Sequence, residues 1–156
     1  MGTTFRVYLP RTVARASQPA NQPAALVMSG LVPGTETILV VEDEAEVLNL
    51  IVRVLQACGY QVLVAQEGSQ ALQISREQEG PIHLLITDII MPGMSGKELA
   101  EKLRRQRADT RLLFISGYPD QEIVREGELK DAAFLPKPFT VEDLTTKVRA
   151  VLDAKA

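Results

Sequence analysis

The stretch "TILVVEDEAEVLNLIVRVLQACG" (residues 37–59) changes its period in the middle, and that change decides the fold. Thr37 to Val41 is an apolar run of strand length, rich in β-branched residues, as in a strand buried on both faces. Glu42 and Asp43 follow at once. From Ala45 to Cys58 the apolar residues Val47, Leu48, Ile51, Val54 and Leu55 fall at three- and four-residue spacing, which makes one face of a helix. Gly59 stands where such a helix ends. A buried strand, an acidic turn and an amphipathic helix make one βα unit.

Outward from this unit the alternation repeats. Strands are predicted at 61–65, 82–87, 111–115 and 133–135, and helices at 69–78, 96–107 and 141–154. The last helix carries Val141, Leu144, Val148 and Val151 as its stripe, with Thr140 as cap and Asp143 as an acidic partner in its first turn. A further helix at Gln121–Glu128 is weaker, because Gly127, Glu122, Arg125, Glu126 and Glu128 interrupt it. It is expected to be the least stable and most mobile element. Five βα units in a row predict a parallel sheet with helices on both faces.

In such a sheet ligands bind outside the carboxyl ends of the strands. Ionisable residues recur there: Glu42 and Asp43 after "TILVV", Asp88 after "IHLLIT" and Lys137 after "AAFLP". Pro92 and Gly93 turn the chain just beyond Asp88 and leave its carboxylate at the strand end. Three carboxylates gathered in one crevice repel unless a cation holds them, and hard oxygen ligands that leave room for water suit Mg²⁺.

The 156 residues suffice for one domain and a tail. Residues 1–35 hold three arginines and no acid, whereas residues 36–156 carry 14 basic against 20 acidic residues, a balance that excludes nucleic acid as an expected partner. Cys58 is the only cysteine, so no disulfide can form within the chain, and a reducing cytoplasm is the expected location. The apolar stretch Ala24–Val32 is too short to span a membrane, so no membrane contact by this chain is expected. Residues 11–35, with Pro19, Pro23 and Pro33, read as a flexible linker.

The motifs "ILVVEDE", "LLITDIIMPGMSG", "LLFISGY" and "FLPKPF", in this order and spacing, resemble the receiver domain of two-component response regulators over residues 36–154. The resemblance implies a flavodoxin-like, doubly wound five-stranded sheet of order 2-1-3-4-5. It also implies phosphoacceptance by Asp88 from a phosphohistidine-bearing kinase or phosphotransfer protein. Asp43 and Asp88 would ligate Mg²⁺, Glu42 would hold a metal-bound water and the Ile90 carbonyl would add an oxygen. Lys137, joined to Pro138 by a cis peptide in the family, would offset charge on the phosphoryl oxygens. Ser116 would donate its hydroxyl to the phosphoryl group. Phe134 matches the family's switch aromatic, usually tyrosine, coupling Ser116 to an output face made by the weak helix, the last strand and the last helix. Ile90 and Tyr118 occupy the positions that tune phosphoryl lifetime. Neither is acidic or amide-bearing, so slow self-dephosphorylation is expected.

His83 begins an apolar strand and is no kinase phosphohistidine, and no ATP-binding loop is evident, so the phosphodonor is another domain or protein. The stretch "GTTFRVYLP" (residues 2–10) resembles the final strand of a histidine-kinase ATP-binding domain. Residues 1–10 then read as a kinase remnant, 11–35 as linker and 36–156 as receiver, the carboxyl-terminal piece of a hybrid sensor histidine kinase. The isolated domain is expected to be a monomer or weak dimer. Two other readings stay open, a receiver-like docking module that takes no phosphate and an aspartyl-phosphate hydrolase of small molecules.

Overall fold

Successive residues of a strand point to opposite faces, so a strand that is apolar throughout needs cover on both. The computed structural model, which describes residues 34–117 and 131–154, meets that need. Strand β1 (Thr37–Val41) is buried along its whole length. Leu39 and Val41 enter one core with Leu85, Leu112 and Phe114, beneath α2 (Gly68–Glu77) and α3 (Gly96–Gln106). Ile38 and Val40 enter the other with Leu84, Ile86, Leu113 and Ile115, beneath α1 (Ala45–Ala57) and α4 (Val141–Asp153).

The sheet is parallel throughout, in the order β2 (Gln61–Ala65), β1, β3 (Leu84–Asp88), β4 (Arg111–Ser116), β5 (Ala133–Pro136). Order 2-1-3-4-5 with helices on both faces is the flavodoxin-like arrangement that the motifs implied. The order reverses at β1, so β1 and β3 are neighbours and their carboxyl ends, bearing Glu42, Asp43 and Asp88, lie side by side.

Local signals account for several helix ends. Gly59, at φ 90°, closes α1: its N–H donates to Gln56 O at 3.0 Å and that of Tyr60 to Leu55 O at 3.2 Å. Thr140 and Asp143 form a reciprocal capping box at the start of α4. Two expectations need correction. The third strand runs 84–88 rather than 82–87: the chain joins the sheet two residues later, after His83 has accepted a hydrogen bond from the Thr37 N–H on its ring Nδ1 at 2.9 Å. Asp88 therefore ends the strand, paired in register with Ile115, instead of following it. In α4 the buried residues are Leu144, Thr145, Val148 and Leu152, with Val141 and Val151 at the margin of the core. Thr145 tolerates burial because its hydroxyl donates to Val141 O at 3.0 Å.

One tie between elements has no local signal. Arg107, just past α3, reaches the carboxyl end of α2, where helix carbonyls lack partners. Its Nη2 donates to Ser75 O at 2.8 Å and also to Gln78 O, Nη1 to Gly80 O at 2.8 Å, and Nε to the buried Ser75 hydroxyl at 3.1 Å. The expected helix at 121–128, Tyr118 and residues 1–33 lie outside the described residues.

Candidate functional site

Lys137 follows β5, and its backbone N–H donates to Ser116 O at 2.8 Å, which fixes its origin beside the end of β4. The peptide from Lys137 to Pro138 is cis. The side chain, 18% exposed, crosses the strand ends to Asp88 Oδ2 at 2.7 Å. Nζ also donates to Glu42 Oε1 at 3.2 Å and to Glu44 Oε1 at 3.4 Å. One ammonium thus faces three carboxylates from two other strand ends.

The carboxylates differ in environment. Glu42 is only 1% exposed, and its Oε2, though 3.0 Å from Lys137 Nζ, receives no hydrogen bond. Burial raises its pKa, against the opposing pull of Lys137. The Lys137 pKa is also raised, for the opposite balance of causes: desolvation lowers it, but hydrogen bonds to Asp88 and Glu42 outweigh that. The ammonium is therefore firmly charged. Asp88 is 12% exposed, and its Oδ1 accepts the Ile90 N–H at 3.0 Å, so both of its oxygens are held in place.

The turn beyond Asp88 is built for close approach. Gly93 adopts φ 79°, a conformation that favours glycine. A Cβ on Gly96 would lie 1.9 Å from Asp88 O, so only glycine lets α3 begin directly against the strand end. Ser95 caps that helix through a reciprocal box with Glu98.

Glu42, Asp43 and Asp88 each bring an oxygen within 4.8 Å of one another. Hard carboxylate oxygens at that spacing, one of them buried without a hydrogen bond and only partly offset by a lysine, fit a divalent cation such as Mg²⁺. Ser116 ends β4 next to Ile115, the register partner of Asp88. Ile90 is 60% exposed beside the Asp88 carboxylate, to which its N–H donates. Phe134 stands opposite Phe114 in register, with the two rings stacked at 5.6 Å. Sequence reading missed Glu44 as a site residue. Its signal was the third consecutive acid in "EDE", at a helix N-cap where its side chain makes no capping bond.

Comparison with known proteins bears on what this arrangement does. A family model described as the response regulator receiver domain matches residues 38–149. The chain is 36% identical over 158 residues to the sensor kinase CckA of Brucella abortus (strain 2308), an alignment covering 97% of this chain and 17% of that protein. It thus spans only 17% of that relative's length. The crystal structure of the receiver domain from the hybrid histidine kinase CckA is 40% identical with a TM-score of 0.65, covering 75% of this chain and 99% of that one. The response regulator protein TrrA from Thermotoga maritima, solved in complex with Mg(2+)-BeF, is 31% identical with a TM-score of 0.63, again covering 75% and 99%.

Proposed function

Given that this chain belongs to the response regulator receiver family, the phosphoacceptor signalling domains of two-component systems, we propose that Asp88 is its phosphoacceptor. The observation that carries this reading is the 2.7 Å contact between Lys137 Nζ and Asp88 Oδ2, within a trio of carboxylates spaced for one divalent cation. One Asp88 oxygen attacks the phosphorus of a phosphohistidine, and the bond to the imidazole nitrogen breaks. The nitrogen leaves with the electron pair, so the acceptor need lose no proton. Lys137 turns its N–H groups to the phosphoryl oxygens, and Ser116 adds its hydroxyl. Asp43, Asp88 and the Ile90 carbonyl would hold Mg²⁺, with Glu42 holding a metal-bound water, and the ion would supply further charge neutralisation beside that of Lys137.

The partner is a kinase or phosphotransfer protein that presents the phosphohistidine. Phe134 is the residue through which Ser116 reaches the output face, its ring already stacked on Phe114. Ile90 and Tyr118 are neither acidic nor amide-bearing and orient an attacking water poorly, so the aspartyl phosphate outlasts seconds. We read residues 1–10 as the last strand of a kinase ATP-binding domain, 11–35 as linker and 36–156 as receiver. The whole protein is then a hybrid sensor kinase, with this domain in the cytoplasm. Among the described residues no helix is long and apolar enough to cross a membrane.

Incubation with acetyl phosphate and Mg²⁺, read by intact-protein mass, tests the central point. Wild type gains one phosphoryl mass only with Mg²⁺, and Asp88→Asn gains none. A folded wild type that gains nothing favours the docking module, and an adduct on Asp88→Asn moves the acceptor elsewhere.

A further inference from the structure

Lys137 is held by one more carboxylate than phosphoryl transfer to Asp88 uses. An ammonium has three N–H donors. Here they face Asp88 at 2.7 Å, Glu42 at 3.2 Å and Glu44 at 3.4 Å, so each donor has a partner. An arriving phosphoryl oxygen can bind Lys137 only if one contact lets go.

The three contacts do not cost the same to release. Glu42 is buried, and a buried carboxylate stripped of its cation is strongly penalised. Asp88 has the shortest contact and is the group that receives the phosphorus. Glu44 has the longest contact and a side chain 65% exposed, so its carboxylate can return to water at little cost. Glu44 also stands outside the trio spaced to hold a metal ion, which leaves it an electrostatic part rather than a ligand's part.

We propose that Glu44 is a positioning residue: it holds Lys137 in the resting site, yields it to the phosphoryl group, and until then slows acceptance from anionic donors. The proposal rests on Asp88 being the acceptor. In the transfer from acetyl phosphate, an Asp88 oxygen bonds to phosphorus, the phosphorus–oxygen bond to the acetyl group breaks, and acetate leaves with the electron pair. Throughout, Glu44 sets an extra negative charge beside a donor that is itself negative.

The test phosphorylates the full chain with acetyl phosphate at low ionic strength, with Mg²⁺ saturation checked by calorimetry for each variant. Rate constants are read by intact mass. Glu44→Gln is expected to accept phosphate about threefold faster than wild type, the scale of one exposed charge interaction. Glu44→Asp, which keeps the charge, stays near the wild-type rate. The gain shrinks in high salt, where exposed charges are screened. It is also smaller with phosphoramidate, which carries one negative charge fewer than acetyl phosphate. A Glu44→Gln rate equal to or below wild type, or a gain that persists unchanged in high salt, overturns the proposal. Absence of any adduct on wild type would instead overturn the reading of Asp88 as acceptor, a result separable from the first because it precedes any comparison of variants.

Discussion

Two cations in this domain solve opposite problems. Arg107 meets neutral oxygens, the carbonyls of Ser75, Gln78 and Gly80 and the Ser75 hydroxyl, and leaves those acceptors satisfied. Lys137 meets three carboxylates, and the region keeps a surplus of negative charge and a buried Glu42 oxygen without a hydrogen bond. The planar, multi-donor guanidinium suits a permanent clamp at a helix end, whereas the compact ammonium can change partners on its flexible stem. A stabilising cation is surrounded by what completes it. A cation in a site for exchange is surrounded by charge that a ligand must still balance.

The largest effect that would break this contrast comes from the clamp. Arg107→Ala strands carbonyls at and just beyond the end of α2 and should cost about 2–3 kcal/mol in urea unfolding, while leaving Mg²⁺-dependent phosphoryl acceptance intact. Loss of acceptance without loss of stability would mean that the two regions are not separable. Next in size is the response to metal. At Mg²⁺ tenfold above its dissociation constant, linkage predicts about 1.4 kcal/mol of added stability, for wild type and Arg107→Ala alike. The Asp43→Asn variant should lose most of that gain in the same thermal scans, and a full gain there would remove Asp43 from the metal site.

A third cation, Arg149, sharpens the comparison at the low end. It pairs with Glu36 at 2.9 Å and Asp153 at 2.7 Å, both nearer to solvent than Glu42. Burial raises the Glu36 pKa, but the hydrogen bonds and the charge of Arg149 outweigh it and lower the pKa overall. A carboxyl with a lowered folded-state pKa adds stability above its unfolded value, and that stability is lost as pH falls through the folded value. Glu36→Gln should therefore cost under about 1 kcal/mol at pH 7. The difference from wild type should fade as the pH drops below the ordinary carboxylate range. A cost that persists in acid would assign the effect to packing rather than charge.

Much of the molecule was legible from local pattern. The change from an all-apolar run to helical spacing at residues 37–59 announced a doubly covered parallel strand and its helix, and the repeats of that change announced the rest. The glycine at position 59 and the box at Thr140 read correctly because caps depend on neighbours in sequence. The family motifs pointed to Asp88, Asp43, Glu42 and Lys137, and the structure does bring their side chains to one end of the sheet.

What stayed hidden was every relation that depends on distance through space. Periodicity placed Val141 and Val151 on the core face, where they pack only at its margin, and did not single out the buried Thr145 and Leu152, since depth of burial among adjacent helical positions is set by what packs opposite. Nothing near Arg107 in sequence points to Ser75, and nothing near Glu44 says that Lys137, 93 positions away, comes within 3.4 Å. Hydrophobic period and capping chemistry act over a few residues, so the sequence by itself determined the elements, their order along the chain and the residues that bear charge at the strand ends. Which of those charges share one cation, and which are spare, was decided only when the packed sheet set its strand ends side by side.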